Sequence, residues 1–372
     1  MAFEEYSSKI EYYIKNIPKR MYKAVGGFEY TGFFTYDRLT LAQAQEREKT
    51  PILPGFKWGR KWEYGWFFTE ITVPDECKGQ RVVFEAKQGE SVVFVNGKIY
   101  GSFDKEHTHI TLTDCSKGGE RFEIAMEAYA GHDGLENTLD QEHTKLVLSQ
   151  EDLKEFPIDT TQKTVKSGSF GIFYDEVFRL WMDINTLYDL RNNLDDNSLR
   201  KAKIEKALSK MCDAVDIEQP FEDFLLSVKE GRKILKPVLD CKNGSTAPTV
   251  YAIGHSHLDL QWLWTKNETR RKIARTLGNQ LKLMEEYEEY KYIQSQPWLL
   301  EVVKNEYPDL YKDVKRAVKD GRITVEGGTW VEPDTKPANI CQEFFRKFLR
   351  FNQFNFCITN RPNKHRFFGL IL

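Results

Sequence analysis

Residues Tyr251 to Trp264 read YAIGHSHLDLQWLW, an apolar approach followed by two histidines, an aspartate and two tryptophans. In an extended strand, side chains two apart share a face, so His255, His257 and Asp259 are expected to line up while Ser256 and Leu258 turn away. Same-face neighbours stand roughly 6.6 Å apart at Cα. Converging side chains can then bring an imidazole nitrogen and a carboxylate oxygen to about 2.0–2.2 Å from one cation. A His-x-Asp pair can equally be a hydrogen-bonded couple at a strand end with no metal. The flanks place the motif. Val250 to Ile253 is a short apolar run before Gly254, the pattern of a buried strand reaching an open end where backbone can approach a ligand. Beyond the motif, Thr265-Lys266-Asn267-Glu268 has the form of a capping box, and Ile273, Leu277, Leu281 and Met284 recur at helical spacing. The motif is thus predicted at the carboxyl end of a strand entering a helix, where open α/β sheets and barrels carry their sites.

Downstream, strands and helices alternate. Lys291 to Ser295 reads as a second strand. Pro308 begins a helix bearing Leu310, Val314, Ala317 and Val318, which Gly321 ends, and Arg322 to Val325 reads as a third strand. This order predicts parallel βα units. The third strand runs into Glu326-Gly327-Gly328-Thr329-Trp330-Val331-Glu332-Pro333-Asp334, whose glycines, tryptophan and carboxylates suit the rim of a site and suit a solvated βα loop as well.

Upstream, the pattern from Phe56 to about Gly131 is all β. Trp66 to Val73, Arg81 to Ala86, Ser91 to Val95, Lys98 to Phe103, Thr108 to Thr113 and Arg121 to Tyr129 are short runs rich in β-branched and aromatic residues, and Asn96-Gly97 between two of them is a hairpin signal. An antiparallel sandwich or jelly roll is expected. The period then becomes helical, with Leu199, Ile204, Leu208, Met211 and Val215 on one helix and a second starting at Pro220. The polar stretch Lys242 to Pro248 marks a boundary. The expected organisation is an N-terminal β-sandwich over 1–180, a helical linker over 181–247, and over 248–372 the start of a parallel α/β barrel-like domain.

The chain has 372 residues, with 54 basic and 56 acidic side chains and a formal charge of −2. No long run of one sign appears, which argues against nucleic acid or a membrane surface as the main partner. The start lacks the apolar stretch of a secretory signal, and no segment approaches the length of a membrane span. Six cysteines lie far apart with no Cys-x-x-Cys pair. Reduced thiols in a cytoplasmic protein are expected.

Gly254-His255-Ser256-His257-Leu258-Asp259 followed by Trp262, and Glu326-Gly327-Gly328-Thr329-Trp330-Val331-Glu332-Pro333-Asp334 further on, together resemble the α-mannosidases of glycoside hydrolase family 38. Ser295-Gln296-Pro297-Trp298 between them is similar to the family too, and the preceding part resembles its accessory β-sandwich and helical lead-in. The resemblance implies that His257 and Asp259 are ligands of a divalent cation, usually zinc. It implies that Trp262 is an aromatic wall for a mannose ring, that Glu332 and Asp334 belong to the substrate rim, and that His255 orients a ligand through a hydrogen bond. The implied activity is hydrolysis of terminal α-mannosyl residues from mannose-containing oligosaccharides with retention, by two carboxylates about 5–5.5 Å apart. The family's nucleophilic aspartate sits in a Trp-x-x-Asp-x-Phe-Gly type segment, whereas here Lys364 to Leu372 has no aspartate. No catalytic residue is therefore assigned. The resemblance implies an amino-terminal portion that hydrolyses no aryl α-mannoside by itself, with the rest of the enzyme as a further partner.

Two other readings stay open. His-x-His after a first barrel strand also marks amidohydrolase-type enzymes, in which both histidines bind metal. Alternatively the sandwich is a noncatalytic carbohydrate-binding module, with Trp58, Trp62, Tyr64 and Trp66 as its platform, although such aromatics commonly pack a β core instead.

Overall fold

The computed structural model describes residues 3–105, 107–131, 163–244, 247–260, 264–326 and 330–331. Its N-terminal part is a jelly-roll-like sandwich of two antiparallel sheets. Strands β1 (Tyr22–Phe28), β2 (Tyr30–Thr35), β3 (Thr50–Ile52), β4 (Lys57–Trp58), β5 (Tyr64–Thr72) and β6 (Val82–Glu85) lead into β7 (Ser91–Val95), β8 (Lys98–Phe103), β9 (His109–Thr113), β10 (Arg121–Tyr129), β11 (Lys163–Thr164) and β12 (Gly168–Phe173). The six-stranded sheet runs β3-β2-β5-β10-β7-β8, the four-stranded sheet β1-β12-β6-β9, and β11 pairs with β4. Residues that alternate inward on both sheets, among them Phe67, Phe84, Val93, Phe103, Met126 and Phe170, form one apolar core. This is the burial expected where two sheets face each other. Asn96 and Gly97 both take positive φ, +50° and +80°, the backbone of a two-residue hairpin between β7 and β8.

The tryptophan-rich run does not form a platform. Trp58, Trp62, Tyr64 and Trp66 are 2%, 4%, 2% and 0% exposed. Trp58 meets Phe67 edge-on and Trp66 stacks on Phe94. Burying an aromatic side chain contributes on the order of 2–3 kcal/mol, and here packing takes the whole cluster.

A helical cluster follows. Helix α1 (Phe3–Asn16), at the start of the chain, packs with α3 (Asp175–Asn192), α4 (Leu199–Ala214) and α5 (Phe221–Leu239) through Ile10, Leu180, Ile184, Leu208, Phe224 and Val228, while a short α2 (Leu41–Glu46) lies on the sandwich. The 1–180 stretch thus supplies strands to the sandwich and helices to this cluster. Sequence reading found α4 and α5 because their apolar spacing is regular. It passed over α1, whose two fully buried positions, Ile10 and Tyr13, are only three apart.

The last described part is a three-stranded parallel sheet, β13 (Gly254–His255), β14 (Tyr292–Gln294) and β15 (Ile323–Val325), with His255 opposite Ile293 and Ile293 opposite Thr324. Helix α6 (Lys266–Glu286) joins the first two strands, and α7 (Pro297–Glu306) and α8 (Pro308–Lys319) join the second to the third. Gly321, at φ +70°, turns the chain out of α8. One expectation is corrected. Val250, Tyr251 and Ile253 do not form a buried strand; they are 84%, 87% and 52% exposed, and β13 is only two residues long. Among the described residues β13 has a neighbour on one side only, so apolar sequence alone does not extend it.

Candidate metal centre at the carboxyl end of the parallel sheet

His257 and Asp259 lie beyond β13, in a loop rather than on the strand where the two-residue period placed them. They still face one another. His257 Nε2 is 3.3 Å from Asp259 Oδ1, and both side chains reach solvent. This distance is long for a hydrogen bond. Two ligands about 2.0–2.2 Å from a tetrahedrally bound ion stand about 3.3–3.6 Å apart, so the pair fits the edge of a zinc-type site in donor chemistry and in spacing. His255, at the end of β13, places its Nε2 3.1 Å from Ser295 Oγ. Among the described residues no cluster of three or more histidine, cysteine, aspartate or glutamate side chains gathers round a cation position. Trp262, Glu332 and Asp334 lie outside the described residues.

Three loops converge here. After β14, Ser295 meets His255 and the buried Gln296 donates from Nε2 to Leu258 O at 2.8 Å. After β15, Trp330 O accepts from Trp298 N at 3.1 Å, and Trp330 and Val331 pack into the same apolar cluster as Leu258 and Leu260. The first loop is also tied to α6. Thr269, fully buried, donates its hydroxyl to Leu260 O at 2.8 Å, with Asp259 O at 3.2 Å, and accepts from Trp264 Nε1 at 2.9 Å.

The start of α6 carries a surprise in its charges. Thr265 caps the helix as the sequence suggests, accepting from the Glu268 amide, but the Glu268 carboxylate does not turn back to complete a capping box. It is fully buried against the sandwich, where it pairs with Arg275 and accepts from Tyr64 Oη at 2.6 Å. Arg271, 2% exposed, bonds Glu127 of β10 at 2.8 Å and lies over the Tyr64 ring. Arg275 also reaches Glu90 at 3.0 Å. Burial opposes the charge on both arginines, but Glu127 beside Arg271 and Glu268 beside Arg275 outweigh it and hold each guanidinium above its ordinary value. Burial first, then the Glu268 carboxylate, pushes the Tyr64 phenol well up, so it remains a donor. Tyr64 shares a cluster with Trp62, Tyr129 and the half-buried Trp264. The sandwich therefore reaches the loop of His257 and Asp259 through one helix turn. Sequence reading missed Thr269, Glu268, Arg271 and Arg275 in these roles, because Arg271 and Arg275 fall opposite the apolar stripe of Ile273 and Leu277, on the face where charge reads as solvated.

Residues 247–361 match the glycosyl hydrolases family 38 N-terminal domain, and residues 30–152 match the α-mannosidase jelly roll domain. The last third of the chain is thus similar to a glycoside hydrolase family 38 domain. The chain is similar to Alpha-mannosidase G of Dictyostelium discoideum, 29% identical over 316 residues that make up 81% of this chain and 27% of that protein. Alpha-mannosidase 2C1 of Homo sapiens is 28% identical over 87% of this chain and 30% of its own length. An alpha-mannosidase of Saccharomyces cerevisiae is 32% identical over 177 residues, 45% of this chain and 14% of its own. The chain spans less than a third of the length of these curated relatives.

Proposed function

We propose that this chain forms the cation- and mannose-binding part of a retaining α-mannosidase acting on terminal α-mannosyl residues of oligosaccharides, and that its three βα units are the beginning of a barrel. The observation that carries the reading is the meeting of His257 with Asp259 at 3.3 Å, at the carboxyl end of a parallel sheet and inside the segment that matches the family. His257 and Asp259 would hold a divalent cation, zinc by donor type. Such a cation supplies fixed positive charge for sugar hydroxyls. His255, whose Nε2 meets Ser295 Oγ at 3.1 Å, suits an orienting neighbour. Trp262, Glu332 and Asp334 are assigned to the sugar side of the same site. Asp259 and His257 have the exposure that an incoming hydroxyl needs. No helix among the described residues is long and apolar enough to cross a membrane. Cys77, Cys115, Cys212 and Cys241 are free thiols, which supports a reducing, cytoplasmic setting.

Saturation-transfer NMR with methyl α-mannoside, with and without zinc, tests this. Zinc-dependent transfer that His257→Ala and Asp259→Ala each abolish is the expected result. Transfer that is indifferent to zinc and to both substitutions would remove the reading.

A further inference from the structure

Asp259 sits in a stretch without strand pairing, yet the backbone carbonyls on either side of it are bonded to buried side chains from other elements. Gln296, 2% exposed, holds Leu258 O from the loop after β14. Thr269, fully buried in the first turns of α6, holds Leu260 O, and its hydroxyl proton also lies within reach of Asp259 O. The Thr269 oxygen is in turn fixed by the Trp264 indole. A buried hydroxyl or amide that gives up its partner is left unsatisfied away from water, which opposes drift of either side chain. We propose that Gln296 and Thr269 are positioning residues that fix Asp259 from both sides, so that its carboxylate meets the His257 imidazole.

The origin of the two constraints gives them meaning. Gln296 refers Asp259 to the parallel sheet, since it follows β14 directly. Thr269 refers it to the sandwich, since its neighbour Glu268 is bonded to Tyr64, and Arg271 two residues on is bonded to Glu127. A loop carrying a cation ligand is thereby registered against two domains at once. The purpose of this role rests on the cation reading of His257 and Asp259; its geometry rests on the hydrogen bonds alone.

The test compares wild-type chain with Thr269→Val, Thr269→Ser and Gln296→Met. Amide hydrogen exchange over Ser256 to Leu260 is expected to accelerate about fivefold in the Val and Met variants, the effect of losing one neutral hydrogen bond, and to stay near the wild-type rate in Thr269→Ser, while exchange in β10 and α4 is unchanged. Should Thr269→Val fail to fold, Thr269→Ala against Thr269→Ser gives the same contrast. Co²⁺ uptake, followed by its visible absorption, should weaken several-fold in the Val and Met variants and hold in Thr269→Ser. Unchanged loop exchange in both, or equal acceleration with and without the hydroxyl, overturns the proposal. A wild-type chain that takes up no Co²⁺, with loop exchange still governed by Thr269 and Gln296, removes the cation reading and leaves the positioning role in place.

Discussion

Two stretches of this chain offer candidate binding side chains, and the fold treats them oppositely. From Trp58 to Trp66 every tryptophan is buried, and the run is a core element of the sandwich. From Tyr251 to Leu260 the polar side chains face solvent and the backbone is held from behind. What separates them is the polar partner. Tyr64 spends its hydroxyl on a buried glutamate, whereas His257 Nε2 stands 3.3 Å from the Asp259 carboxylate with both side chains reaching solvent.

The strongest way to break this comparison is at the buried charges. Arg271→Ala leaves Glu127, 4% exposed, without its guanidinium, and a loss of about 3–5 kcal/mol is expected on breaking such a pair; denaturant unfolding measures it. Nearly as large, Trp66→Ala should cost about 3–5 kcal/mol through the cavity it opens. His257→Ala, by contrast, should stay within about 0.5 kcal/mol of wild type while losing cation uptake. If Trp66→Ala and His257→Ala had similar costs, the division into a structural and a functional cluster would fail.

A smaller effect is expected in the hairpin. Gly97, at φ +80°, has open space where a Cβ would sit, so Gly97→Ala should cost only its backbone conformation, about 1 kcal/mol, with methyl mannoside binding untouched. The smallest concerns pH. Burial would raise the Glu90 carboxyl, but Arg275 and Lys272 outweigh it and hold it below its usual value. A depressed folded value means that the unfolded chain binds the proton more readily. Glu90 therefore contributes stability above the unfolded value of about 4.3, and that contribution disappears as pH falls through the lower folded value. Unfolding midpoints at pH 6 and pH 3 should differ less in Glu90→Gln than in wild type.

The sequence exposes the sandwich strands from Tyr64 to Tyr129 well because each alternates and turns sharply, Asn96-Gly97 above all. It exposes the βα units because Pro308 and Gly321 punctuate them. Strands β1, β2 and β12 were missed, since Gly26, Gly27, Gly32 and Gly168 break their alternation at places where another backbone or ring comes close. At the site, the type of chemistry in His257 and Asp259 was readable, but their strand address was not, because β13 lacks a second neighbour that would extend it. The side chains that hold the loop were unreadable for a different reason. Thr269 and Gln296 act on carbonyl oxygens, which every residue possesses, and only three-dimensional proximity selects which ones.

The carboxylates that meet α6 reach beyond stability. A chimera that grafted a foreign jelly roll onto these βα units would need an acidic group where Glu127 stands, or the Arg271 guanidinium would be stranded in a dry seam, while Arg275 would keep Glu268 of its own helix. The two domains are therefore expected to travel through gene shuffling as one cassette, with the seam as the scar that records which halves grew up together.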